Sequence, residues 1–259
     1  MKEFKISTIA EYVEHIEKLA ELNTYWFRGV PRTKQTPQPG VAWRDLYEDE
    51  GGLEHYFLVS YKAYLDTPNL NPWEVYALMQ HHGLPTRLLD WSESALVALF
   101  FALTSEPNFN GYRCVWALNP FALNEKTIDS ARIYCPSILE NKNIASGDGN
   151  LNLDSYLPPN LAPEGIAGMP SKPIAIQSSQ HIKRVSSQKG CFTVHGRKPD
   201  HIGSYLNDPA SFHMIKIDVR TKSARLKMLS TLQSMGIDEE FIYQDLDSLC
   251  NKIKRNHGI

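Results

Sequence analysis

The sequence predicts an α+β fold: an N-terminal helical half packed on a mostly antiparallel sheet built from the C-terminal half. Three observations carry this expectation. Helical periodicity dominates residues 8–22 and 71–103, strand-like runs cluster between 112 and 219, and amphipathic helix returns after 221. Helices and strands that segregate along the chain, rather than alternate, argue against a doubly wound parallel sheet. The chain has 259 residues, 42% of them apolar and 10% aromatic, which is enough for a substantial core. No low-complexity linker divides it. It therefore reads as one domain over 1–259, carrying an irregular surface insertion rich in Asn, Gly, Pro and Ser at about 141–171.

Thr8-x-x-Glu11 has capping-box spacing, and Ile9, Tyr12, Val13, Ile16 and Leu19 continue it as an amphipathic helix over 8–22. Tyr25-Trp26-Phe27 is aromatic and strand-prone, and it runs into Arg28-Gly29. Residues 31–45 read as a loop, and Leu53 to Tyr61 as a helix carrying Glu54 and His55. Asn71-Pro72-Trp73-Glu74 is a helix start, with Asn as cap and Pro in the first turn; that helix is expected to end at Gly83. A nearly all-apolar helix is expected from Ser92 or Glu93 through Leu103. Strands follow at 112–118, 173–176, 190–196 and 212–219. Thr221 or Ser223 caps a helix that Gly236 stops, and residues 238–254 are expected to form a last helix.

A formal charge of −2 gives no global field toward nucleic acid or an anionic membrane. Cys114, Cys135, Cys191 and Cys250 form no CxxC pair, so neither a structural zinc site nor a disulfide framework is indicated. The first residues show no apolar signal region and no run is long enough to span a bilayer. A cytoplasmic location with no membrane partner is the resulting expectation.

The densest chemistry lies in Gln80-His81-His82-Gly83-Leu84-Pro85-Thr86-Arg87-Leu88-Leu89-Asp90-Trp91. Polar and charged groups crowded between apolar segments must satisfy each other or a ligand. Thr86-Arg87-x-x-Asp90 reads as a self-satisfying loop, with Arg87 on Asp90 and Asp90 capping the next helix. Arg87 can also serve phosphate. Arg28 is either a strand-end arginine paired with a carboxylate or an anion-recognising fork, with Gly29 allowing close backbone approach. Arg184 and Gln188 suit a polar ligand, and His195 suits a general base near neutral pH. No P-loop, dinucleotide glycine motif or nucleophile elbow is present.

These residues resemble the FRG domain family, named for a Phe/Tyr-Arg-Gly motif, here Phe27-Arg28-Gly29. The block Gln80 to Trp91, the apolar helix through Phe100-Phe101-Ala102, Arg184, Gln188-x-Gly190, Phe192-Thr193, Gly236-Ile237 and Asp245-Leu246-Asp247 are similar to further family blocks. The family occurs in bacteria and their viruses. A second, local resemblance is to ADP-ribosyltransferases, in which an aromatic-Arg-Gly strand grips NAD; Trp26-Phe27-Arg28-Gly29-Val30 is similar to that opening. It implies NAD as cofactor, Phe192-Thr193 under the nicotinamide, and a late carboxylate at the ribose. Glu239 and Glu240 are late enough but lack the Glu-x-Glu or Gln-x-Glu spacing, and Glu54 and Asp90 are further candidates.

The expectation is therefore a nucleotide or dinucleotide ligand bound by Arg28, Gly29, His81, Thr86, Arg87, Arg184, Gln188 and Thr193, with a possible ADP-ribosyl transfer using Arg28 and Glu239, Glu240 or Glu54. The macromolecular target stays open. Two alternatives stand beside it: a non-catalytic nucleotide-sensing module, and a metal-dependent nuclease built on His81, His82 and Asp90. Arg28, Arg87, Gln188 and Thr193 are expected to converge on one cleft.

Overall fold

The computed structural model describes residues 3–65, 69–147, 149–166, 168–179 and 186–258. Its strands are β1 (Glu3–Ile6), β2 (Trp26–Val30), β3 (Leu88–Ser92), β4 (Arg113–Leu118), β5 (Asn143–Ser146), β6 (Gly149–Asn152), β7 (Ile174–Gln177), β8 (Gly190–Val194) and β9 (Phe212–Ile217). Its helices of four residues or more include α1 (Ile9–Ala20), α2 (Gly40–Trp43), α3 (Glu50–Ser60), α4 (Pro72–His81), α5 (Ala95–Thr104), α6 (Pro120–Ile128), α7 (Lys222–Ser234), α8 (Glu239–Tyr243) and α9 (Leu246–His257). Seven strands form one sheet in the order β1-β9-β4-β2-β3-β8-β7, and β5 and β6 pair apart from it. All sheet neighbours are antiparallel except β1 with β9.

The α+β class is as the sequence predicts. The sheet is not confined to the C-terminal half, however, because β1, β2 and β3 come from the first 92 residues. Strand β3 replaces part of the expected turn-to-helix transition. Leu88 and Leu89 are buried strand residues, and α5 starts only at Ala95, where the Ser94 hydroxyl accepts the N–H of Val97. Short apolar runs do not distinguish a buried strand from a helix by period alone.

The sheet is covered on both faces, and β4 shows why. All six of its residues are buried. Val115 and Ala117 pack with Tyr12, Leu99, Leu103 and Leu232 from the helices on one face. Cys114, Trp116 and Leu118 join Phe212 and Met214 on the other, as a period of two demands. A further cluster joins Trp73, Tyr76 and Met79 of α4 to Phe192 and Val194 of β8.

The capping boxes at Thr8 and Asn71 form as their spacing predicts. The insertion at 141–171 departs from a purely surface excursion. It contains the β5–β6 hairpin, and Leu153, Tyr156 and Leu157 are buried in the α4 cluster, where Asp154 accepts the Trp73 indole N–H at 2.7 Å. The single helix expected over 238–254 is two. Gln244 takes a left-handed conformation at φ 52°, and Asp245 recaps the chain by accepting the N–H of Ser248 at 2.7 Å.

Candidate functional site

The sheet parts between β2 and β3. Strand β2 keeps five paired positions with β4, and β3 keeps five with β8, but β2 and β3 share only Phe27↔Ser92. Beyond that pair, backbone groups at the centre of the sheet lose ladder partners and must find others. Arg28 supplies one: its Nη1 donates to the backbone carbonyl of Asp90 at 2.7 Å. The same nitrogen stands 3.7 Å from Asp90 Oδ2.

A cleft of about 360 Å³ opens at this split. Arg28, Asp90, Gln80, His81 and Gln188 give it polar groups, and Phe27, Trp91 and Phe101 give it an apolar wall. The Arg28 and Asp90 side chains are 27% and 54% exposed, so both remain accessible. Desolvation lowers the Arg28 pKa from its ordinary value, against an opposing pull from Asp90. Gln80 Nε2 donates to Asp90 Oδ2 at 2.6 Å. Gln188 donates from Nε2 to the Ile242 carbonyl at 3.2 Å, and its own carbonyl accepts the Ser92 hydroxyl at 2.6 Å. Segment 186–189 is thereby tied to both β3 and α8.

Gly29 lines the cleft, but its freedom serves the fold. A Cβ there would overlap the Ala98 carbonyl oxygen of α5. The backbone that Gly29 admits is therefore a helix laid across β2, and not a ligand.

Neither Thr86 nor Arg87 lines the cleft. Both are fully buried. Arg87 Nε donates to Glu50 Oε2 at 2.6 Å, Nη1 donates to the His195 carbonyl at 3.2 Å, and the Arg87 N–H donates to the Tyr76 hydroxyl at 2.8 Å. Tyr76 in turn donates to Glu50 Oε1 at 2.6 Å. Burial pulls the Arg87 pKa down, but Tyr76 and Glu50 outweigh it and the net shift is upward. Arg87 thus pairs with Glu50 from α3, not with Asp90, and it is closed to any ligand in the cleft. Asp90 is not a helix cap either, since it lies within β3 and Ser94 takes the capping role.

Thr193 and His195 are likewise fully buried. Thr193 accepts the Trp91 indole N–H at 3.1 Å and stands 3.4 Å from His195 Nε2. Burial, reinforced by the Arg87 charge, pushes the His195 pKa down to about 3, so it is neutral and enclosed and is not the general base its sequence position invites. Arg184 lies outside the described residues.

The three carboxylates expected at a ribose are elsewhere. Glu239 pairs with Arg255, and Glu240 pairs with Lys252 at 2.6 Å, closing α8 onto α9. Glu54 is buried on α3, where Oε2 accepts both the N–H and the side-chain amide of Asn160; burial raises its pKa. None of the three lines the cleft, whose carboxylate is Asp90. Of the four residues expected to converge, Arg28 and Gln188 do so and Arg87 and Thr193 do not. Gln80 and Asp90 take their places. Asp90, already among the candidate carboxylates, is the single polar residue in the strand run Leu88-Leu89-Asp90-Trp91; Glu50, in the acidic run Glu48-Asp49-Glu50, carries no such signal.

Among the described residues no group of three His, Cys, Asp or Glu could hold a metal ion, so His81, His82 and Asp90 do not form the nuclease centre considered above. Among the same residues no helix is long and apolar enough to cross a membrane.

No curated protein and no solved structure matches the chain, and the ADP-ribosyltransferase resemblance receives no support from either. One family model does match. Residues 23–111, about a third of the chain and the stretch that supplies Arg28, Gln80, His81 and Asp90, match the FRG domain.

Proposed function

We propose that the split between β2 and β3 is a nucleotide-binding cleft that takes an NAD-like ligand. The observation that carries this reading is the side-by-side placement of Arg28 and Asp90, both partly exposed, in a cleft of about 360 Å³ with an aromatic wall. That volume falls at the small end of small-molecule sites and suits one nucleotide half of a dinucleotide. Arg28 spends Nη1 on the Asp90 carbonyl and keeps the rest of its planar donor fork for phosphate. Asp90 offers an acceptor for a ribose hydroxyl, and Phe27, Trp91 and Phe101 offer apolar surface to a base or nicotinamide ring.

A reaction on NAD is a second reading, favoured by one feature. Cleavage of the nicotinamide–ribose bond sends its electron pair to the ring nitrogen and leaves positive charge on the ribose. A carboxylate fixed nearby stabilises that charge. Asp90 is the carboxylate in place for this, in preference to Glu239, Glu240 or Glu54. Calorimetric titration with adenosine monophosphate and with NAD tests the binding reading. Release of free nicotinamide, absent in Asp90→Asn, tests the reaction. Saturable binding without nicotinamide release leaves a nucleotide sensor.

A further inference from the structure

The geometry points to Thr86, buried beneath the cleft and out of reach of any ligand, as the positioning residue that orients the cleft carboxylate through Gln80. This role deepens the nucleotide-site reading and rests on it for its functional consequence.

The argument follows donors and acceptors along four groups. The Leu88 N–H donates to Thr86 Oγ1 at 3.1 Å. A backbone amide can only donate, so the threonine oxygen is an acceptor there and its own proton is free to point elsewhere. It points at Gln80 Oε1, 2.7 Å away. The glutamine amide is then fixed with its oxygen toward Thr86 and its nitrogen toward Asp90, where Nε2 donates to Oδ2 at 2.6 Å. The reverse orientation would set an amide oxygen against a carboxylate oxygen at that separation, two acceptors with no proton between them. The Asp90 end thus sets the amide orientation, and the Thr86 hydroxyl, with its proton free to donate, locks it from the other side.

The consequence reaches the cleft. Oδ2 of Asp90 is engaged by Gln80 and lies near Arg28, while among the described residues Oδ1 accepts no hydrogen bond. The carboxylate is held with one oxygen anchored and the other presented as an acceptor, so the ligand group it meets is a hydroxyl or amine donor. An ordered acceptor next to the Arg28 donor fork selects a ligand that pairs an anionic group with a hydroxyl, as a ribose phosphate does. Gln80 is the link between α4 and β3, and Thr86 is what keeps it from rotating.

The test uses the full chain with its Gln80 side-chain amide followed by nitrogen–proton correlation spectroscopy, and adenosine monophosphate as the binding probe. Wild type and Thr86→Ser should show a Gln80 amide pair with one proton shifted and protected from exchange. Thr86→Val should lose that signature and bind the probe about tenfold more weakly, the scale of one charge-assisted hydrogen bond. If Thr86→Val does not fold, Gln80→Glu serves instead: the residue is partly exposed, and a second carboxylate against Asp90 should weaken the probe by at least as much at neutral pH. An unchanged Gln80 signature in Thr86→Val, or wild-type probe binding by Gln80→Glu, overturns the positioning role. A Gln80 signature that follows Thr86 in a protein that binds no adenosine monophosphate supports the relay and removes the nucleotide reading alone.

Discussion

Arg28 and Asp90 meet across the gap where β2 and β3 part, the guanidinium donating to the Asp90 backbone carbonyl at 2.7 Å with the two side chains 3.7 Å apart. This one relationship joins the Phe27-Arg28-Gly29 motif to the Gln80–Trp91 block, 62 residues later in sequence. The arginine replaces a missing rung of the sheet with one donor and keeps the others for the cleft. Structural and ligand-binding roles are thus divided within a single side chain.

Arg28→Lys tests that division. Lysine keeps the charge but loses the planar fork, so it cannot hold the Asp90 carbonyl and grip a phosphate in the same geometry. Binding of adenosine monophosphate should fall about as far as in Arg28→Ala, while circular dichroism shows a folded chain. A lysine variant that binds as wild type places the anion site elsewhere.

Asp90→Asn should leave thermal stability nearly unchanged, within about 0.5 kcal/mol, because the carboxylate is 54% exposed and caps no helix. Ligand affinity should drop in the same variant. A large loss of stability with intact binding would return Asp90 to the purely structural role that its sequence position first indicates.

Glu50→Gln addresses the opposite side of the same block. It removes the charge that compensates buried Arg87, whose side chain is fully enclosed. Breaking a buried ion pair from one side costs about 3–5 kcal/mol, so chemical denaturation should reveal a marked destabilisation. A nearly neutral result would mean that the His195 carbonyl and the Met169 sulfur suffice to hold the guanidinium.

Glu54 gives a pH-dependent prediction of definite sign. Burial raises its folded-state pKa above the ordinary carboxylate value. The native chain therefore keeps this proton to higher pH than the unfolded chain does, and stability falls as pH rises from the ordinary value through the raised one. Glu54→Gln should raise the melting temperature at about pH 7 and give no such gain at about pH 3, where both states are protonated. Ligand binding should be unaffected, since Glu54 lies outside the cleft. Loss of binding in this variant would restore Glu54 as a site carboxylate.

Much of the scaffold was legible because local chemistry fixed it. Thr8, Asn71 and Thr221 announce helix starts through capping, and each caps as expected. Asn119-Pro120 carries the same signal as Asn71-Pro72 and opens α6, a helix beyond those expected above. Strand β1 is only four residues long and depends on a parallel neighbour more than two hundred residues away, so no local pattern reveals it. The site divides along the same line. Arg28 and Gln188 were found because their residue types are unusual for their surroundings. Which residues join them was decided by the split of the sheet and by the partners of Arg87. Glu50 reaches Arg87 from α3 across 37 positions, and that pairing turns Arg87 inward and leaves Asp90 to Arg28 and Gln80. Long-range pairing of this kind leaves no periodicity to read.

The most direct test of the nucleotide-binding cleft is calorimetric titration of the full chain with NAD, alongside Arg28→Lys and Asp90→Asn. The account predicts saturable binding by the wild-type chain, weakened about tenfold or more in each variant. Absence of binding by the wild type to both NAD and adenosine monophosphate at millimolar concentration, or equal binding by all three proteins, would contradict it.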